Sequence, residues 1–408
     1  MQEYFRNWAE INLDYIGHNV KAIQNILPPK TKIMAVIKDN AYGHGSAAIA
    51  HELCSLGIHM YAVSNINEAI HLREHSIGYP ILILGYTPPA QFYLLHKYNL
   101  IQTLVSYAYT QKLDNFCRRH HCIIECHVKV DTGMGRIGFI YDGSKENFRS
   151  IAAAYTFKNI NITGTFTHFA SSDSLQAEDI AYTLNQNSLF RQLIYKLKII
   201  GINPGKLHTQ NSSAILNYSM FEYDYVRPGM LLLGIPSGEI VKDGRFDGLK
   251  PVLQLKTKVT LVKEIAKGCS VSYGRNYKAA KPSIIASLSI GYGDGYPRIL
   301  SNKHMKVLVR GEFAEIAGNI CMDQMMIDVT HIPDIREGDT VTLIGCDGDF
   351  FISINEIAEN AHTINNEIAV NINSRVERIY YKNNKPFNNY INNCTKQESL
   401  KLQYAINQ

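Results

Sequence analysis

One lysine stands where an apolar run breaks off, in Ala35-Val36-Ile37-Lys38-Asp39-Asn40-Ala41-Tyr42-Gly43-His44-Gly45. An ammonium at the end of a buried strand is costly unless it is paired or chemically used. The bland reading is a side chain that snorkels out of a strand end. The sharper one is an amine placed to form a Schiff base. Other chemistry-bearing residues end apolar runs in the same way. Lys129, Asp131 and Arg136 follow Val128, His168 follows Thr167, His208 stands close to Asn211 and Ser212, and Arg227 comes just before Gly229 and Met230.

These residues need a scaffold that gathers them. Between about 32 and 230, β-rich runs recur at Lys32–Lys38, His59–Ser64, Ile81–Tyr86, Ile101–Ser106, Ile123–Asp131, Ile162–Phe169, Lys206–Asn211 and Tyr223–Met230. Stretches with apolar residues at helical spacing separate them, such as Leu189, Phe190, Leu193, Ile194 and Leu197. Strands alternating with helices imply right-handed βαβ units and a parallel sheet. Eight units in about 200 residues favour an α/β fold of the (β/α)8 TIM-like barrel type over an open doubly wound sheet. A barrel puts chemistry at the C-terminal ends of its strands, and the unusual polar residues fall there. Beyond 240 the texture changes to strands split by Gly/Asp turns, with little helical periodicity until Ile354–Ala361. The division expected is a strand within 1–11 pairing with the β domain, the barrel over 12–240, a mostly-β domain over 241–381 and an Asn-rich polar tail over 382–408.

With 408 residues, 46% of them hydrophobic, and a net charge of +5, the chain can bury large cores and has no strongly charged character. Arg118-Arg119-His120-His121 is its compact basic cluster and reads as a solvated loop, so no nucleic-acid partner is expected. No run approaches the roughly 20 apolar residues that span a bilayer, and no signal core opens the chain, so a cytoplasmic location and no membrane partner are expected. Cys117, Cys122, Cys126 and His127 cluster without a CxxC pair, which fits a metal site poorly, and the cysteines read as reduced thiols.

Taken in order, AVIKDNAYGHG at 35–45, VKVDTGMGRIG at 128–138, FTHFASSD at 166–173, HTQNSSA at 208–214, VRPGMLLLG at 226–234, VSYG at 271–274, IGYGDGYPR at 290–298 and GNICMDQ at 318–324 resemble the alanine racemases, including the serine/alanine racemases of the VanT type. The resemblance implies pyridoxal 5′-phosphate joined to Lys38, with Tyr42, Ser212, Gly229 and Met230 around its phosphate and His168 and Asn211 also in the cofactor site. Hydroxyls and main-chain N–H groups at strand ends suit an anion. It also implies Arg227 against the pyridine nitrogen and Arg136 against the phenolic oxygen and substrate. An arginine accepts no proton, so the ring nitrogen stays unprotonated and the cofactor is a weak electron sink, suited to moving one α-proton. Lys129 matches a position open to carbamylation. Racemisation needs a base on each face of the α-carbon, and the resemblance assigns these to Lys38 and Tyr273, the latter with a partner such as His168. Tyr273 and the Cys321-Met322-Asp323 segment would reach the other subunit's site, so a homodimer with shared sites is expected, and Tyr292, Met322, Asp323 and Asn366 are expected with Arg136 against the substrate.

The match departs at Thr363-Ile364-Asn365-Asn366-Glu367, where alanine racemases usually have Asn-Tyr-Glu. Asn366 is shorter than tyrosine and brings both a donor and an acceptor. A hydroxymethyl side chain would fit such a wall, so serine is expected beside alanine as substrate, or even ahead of it. The rival enzyme is a pyridoxal-phosphate decarboxylase of the same architecture, which would need an acidic partner for the pyridine nitrogen where this chain offers Arg227. A non-catalytic pyridoxal-phosphate barrel would lack the β domain altogether.

Overall fold

The computed structural model describes residues 5–240, 248–301 and 303–387. Its first domain is a ring of parallel strands. Lys32–Ile33 and Ala35–Val36, separated by Met34, act as one strand, followed by Tyr61–Val63, Ile81–Ile83, Ile101–Leu104, Ile124–Asp131, Ile160–Phe166, Lys206–His208 and Tyr225–Val226. Lys32–Ile33 pairs with Tyr225–Val226, whereas Ala35–Val36 pairs with Tyr61–Ala62, so the first strand closes the ring that an open sheet would leave split. These strands are short runs of buried Ile, Leu, Val and Ala because helices cover one face and the barrel interior the other.

The helices carry ordinary start signals. Asn65 caps Ile66–Glu74 by accepting from the Asn67 and Glu68 N–H groups, and Ser106 caps Tyr107–Arg119 through the Tyr109 N–H. Ala177–Ile199 is the long one, burying Phe190, Leu193, Ile194 and Leu197 against the barrel.

The second domain is built on Leu253–Ile265. Leu253, Leu255, Thr257 and Val259 point inward in strict alternation, the signature of a half-buried strand. It pairs antiparallel with Ser283–Leu288 and with Thr340–Asp347. Asn7–Asn12 joins the same sheet, antiparallel to Leu253–Ile265 and parallel to Glu377–Lys382. Helices Ile354–Asn360 and Asn365–Asn371 bring this domain back to the barrel mouth. The polar tail expected over 382–408 lies outside the described residues from 388 onward. No helix among the described residues is long and apolar enough to cross a membrane.

One local expectation changes. The first barrel strand stops at Val36, and Lys38 begins a tight turn instead of prolonging the strand. Cys117, Cys122, Cys126, Cys269, Cys321 and Cys346 are free thiols.

Candidate active site

The C-terminal mouth of the barrel opens into a cavity of about 530 Å³. Lys38 and Tyr42 line it from the first strand end, Lys129 and Arg136 from the fifth, and His168 from the sixth. Asn211 and Ser212 enter from the seventh, Arg227, Gly229 and Met230 from the eighth, and Asn366 from the second domain. Residues more than 300 positions apart thus share one wall.

Lys38 stands on an unusual turn. Asp39, Asn40, Ala41 and Tyr42 all have φ between 50° and 53°, four consecutive non-glycine residues in the left-handed region. Contacts from elsewhere hold them there. Glu68 accepts from the Asp39 N–H at 3.1 Å and the Ser64 N–H at 2.7 Å, Asn40 Oδ1 accepts from the Ser46 N–H at 2.8 Å, and Arg378 Nε donates to the Gly43 carbonyl at 3.0 Å. Lys38 Nζ lies 3.7 Å from Asp39 Oδ2, its side chain only partly covered, so the amine faces the cavity mouth.

Arg227 is the buried cation of the site, 3% exposed. Its Nη2 donates to the Thr167 and Thr209 carbonyls, both at 2.9 Å, and to His168 Nδ1 at 3.1 Å, while Nη1 donates to His208 Nδ1 at 2.8 Å. Burial, then the charge of Arg136, pushes the guanidinium down to about 9, which still leaves it charged near neutrality. Burial first and Arg227 next hold His168 far below its ordinary value, so it is neutral. Because arginine only donates, His168 accepts at Nδ1 and keeps its proton on Nε2.

Lys129 is 2% exposed, and its Nζ donates to the Val130 carbonyl at 2.7 Å. Burial pushes this amine down to about 7; Asp131 opposes the fall, and Arg227 and Arg136 reinforce it. For Asp131 burial alone would raise the carboxyl, but N–H groups of Gly133 and Gly135 and the Lys129 charge outweigh it and hold it below its usual value.

The cavity suits a phosphorylated pyridoxal. Gly229 lets the Tyr42 hydroxyl approach the backbone at the cavity wall, since a Cβ there would lie 2.4 Å from Tyr42 Oη. Ser212 Oγ accepts from the Gly229 N–H at 3.0 Å, which folds that backbone around the hydroxyl. Burial raises the Tyr42 phenol, so it stays protonated and can donate to an anion. Lys38 supplies a primary amine, and Arg227 a donor that cannot take a proton.

Tyr273, Tyr292, Met322 and Asp323 do not line this cavity. Tyr273 is 72% exposed on a turn where Asn319 Nδ2 donates to its carbonyl at 2.7 Å. The Tyr292 N–H donates to the Cys321 carbonyl at 3.0 Å, and the Gly293 N–H to that of Met322 at 2.8 Å. Arg375 pairs with Asp323 at 2.6 Å, and Ser272 Oγ lies 3.4 Å from Cys321 Sγ. The four residues therefore stand together on one exposed edge of the second domain. Sequence reasoning assigned no role to His127, Ser237 or Asn365, which the structure brings to the site's surroundings; the HTQNSSA motif was the available pointer to His208.

A parallel barrel with a lysine amine, an anion cradle and a buried cation at its mouth, capped by a β domain, defines a barrel-type pyridoxal-phosphate enzyme. Residues 11–237 match the family model for the alanine racemase N-terminal domain and 252–380 that for the C-terminal domain. The chain is 43% identical over 374 residues to an alanine racemase of Halothermothrix orenii, covering 91% of this chain and 96% of that one. The solved alanine racemase of Clostridium difficile 630 superposes with a TM-score of 0.87 at 36% identity, over 95% of this chain and 99% of that one. The Bacillus anthracis alanine racemase with bound L-Ala-P gives 0.85 at 33% identity, over 95% and 99%. The chain belongs to the alanine racemase family, whose members are pyridoxal-phosphate-dependent.

Proposed function

We propose that this chain interconverts L- and D-alanine with two bases, one removing the α-proton from one face and the other supplying a proton to the opposite face, and that it also accepts serine. The observation that carries the reading is the convergence of Lys38 and Arg227 on one cavity that Tyr42, Ser212 and Gly229 also line. When bound, pyridoxal phosphate withdraws electrons from the substrate's α-carbon and acidifies its proton. Lys38 would anchor the cofactor through its amine and take or return an α-proton on one face of the substrate. Arg227 would hold the pyridine nitrogen as a donor that gives up no proton, a setting that favours return of the α-proton over side reactions. Arg136 would hold the cofactor's phenolic oxygen and the substrate carboxylate.

The second base is Tyr273 of another copy, because in its own chain this residue projects outward with Tyr292, Met322 and Asp323. The neutral His168, whose Nε2–H is free of Arg227, is its partner across the interface. Lys129 is carbamylated, and the resulting carboxylate orients Arg136. Asn366 sets the pocket wall, with Ser237 Oγ 3.5 Å from its Oδ1, so this side is polar and takes a hydroxymethyl group.

A chiral assay of L-alanine and L-serine with purified protein is expected to show both turned over, with Asn366→Tyr lowering serine kcat/KM by about 10-fold relative to alanine. Serine turnover that is undetectable beside alanine removes the serine reading. Absence of D-product from both, with carbon dioxide released instead, would favour the decarboxylase.

A further inference from the structure

Behind Arg227 lie two buried histidines that line no part of the cavity. His208 takes the guanidinium's Nη1–H at Nδ1, 2.8 Å away, and its Nε2 lies 2.9 Å from His127 Nδ1. The direction of this chain follows from what arginine can do. Arginine only donates, so His208 Nδ1 must accept; a neutral imidazole then carries its proton on Nε2. That N–H points at His127 Nδ1, which must accept in turn. Burial, and then the Arg227 charge, keep both rings neutral, His127 down to about 3 and His208 well below its ordinary value.

Packing leaves neither ring another seat. His208 stacks on Phe166 with centroids 4.6 Å apart and planes 13° from parallel, and Arg227 lies 5.3 Å over the other ring partner of that stack, Phe166 itself. Position 164 is glycine, where a Cβ would fall 2.6 Å from His127 Cε1. Absence of a side chain there makes the space that His127 fills.

We propose that His127 is a positioning residue: as the terminal acceptor of the Arg227–His208–His127 chain, it fixes the His208 tautomer and so holds Arg227 toward the cofactor ring. The proposal rests on the reading of Arg227 as the pyridine partner. Without an acceptor at 127, His208 must leave its Nε2–H unpaired in a buried place or turn a second donor toward Arg227. Either outcome loosens the guanidinium.

The test uses the cofactor-loaded enzyme. His127→Leu and His127→Phe remove the acceptor, two different shapes guarding against one that fails to fold. His127→Asn keeps an acceptor where Nδ1 stood, and Arg227→Gln is the reference. The absorption maximum of the bound cofactor is expected to shift in His127→Leu in the same direction as in Arg227→Gln, and to stay parental in His127→Asn. kcat should fall about 10-fold in the acceptor-less variants, the scale on which outer hydrogen-bond partners act elsewhere, with KM changed less. A parental spectrum in the folded Leu or Phe variant beside a shifted Arg227→Gln overturns the proposal. So does an Asn variant displaced as far as Leu, which would mean packing alone. Should Arg227→Gln itself leave the spectrum unchanged, the reading of Arg227 falls, and this proposal with it.

Discussion

Lys129 shows how burial can decide a residue's chemistry. A buried ammonium within the fields of Arg227 and Arg136 meets desolvation and like charge together, and the amine falls to about 7 against an ordinary 10.5. A neutral amine is the form that adds carbon dioxide, and the carboxylate so formed would put a negative charge beside two arginines. The proposed carbamate should therefore appear only as pH rises through about 7. Incubation with isotopically labelled bicarbonate is expected to give a carbamate resonance that grows across that range and is missing in Lys129→Met. A signal of equal strength in the Met variant would sink the assignment. The same shift acts on stability in carbon-dioxide-free buffer. The folded value lies below the unfolded one, so between about 7 and 10.5 the unfolded chain binds the extra proton. Stability should climb with pH across this window, relative to Lys129→Met, on the order of a few kcal/mol.

The turn after the first barrel strand is the element that aims Lys38. Left-handed residues other than glycine cost roughly 1 kcal/mol each, so the 39–42 turn persists because outside groups over-determine it. Glu68 is its brace, with one carboxylate oxygen on the Asp39 N–H and the other on the Ser64 N–H. Glu68→Ala should lower the unfolding free energy by about 1–2 kcal/mol, since both bonds are charge-assisted and one is exposed. Cofactor affinity should fall in parallel, read by denaturant titration and by spectral titration with pyridoxal phosphate. Unchanged affinity in a destabilised variant would separate the turn from the aim of Lys38. This turn also marks the limit of what the sequence disclosed. Strand-and-helix alternation was legible because strands buried on both faces read as unbroken apolar runs. Polar residues at strand ends were legible because they interrupt those runs. The turn was not, since Asp39, Asn40, Ala41 and Tyr42 carry no shared preference for positive φ, and Glu68, Ser46 and Arg378 impose it through space. The Arg227–His208–His127 chain was hidden for the same reason, its members coming from three strands.

At the scale of the whole molecule, one chain holds one of the proposed bases in its cavity and offers the other to the outside. Lys38 opens onto the cavity, while Tyr273 is 72% exposed on the edge shared with Tyr292, Met322 and Asp323. Two copies related by a two-fold axis would each complete the other's site, an isologous pairing with two equivalent mouths. Complementation tests this more sharply than dilution. Lys38→Ala and Tyr273→Phe should each be almost inactive alone. Mixed under conditions that exchange subunits, they form heterodimers in which one site inherits both intact bases and the other neither. Random exchange makes half of the dimers mixed, so about a quarter of the sites should recover activity. Mass measurement of the mixture establishes that exchange took place. If heterodimers form and the mixture stays as inactive as its parts, Lys38 and Tyr273 do not meet across the interface, and the second base must be sought within the chain that carries the lysine.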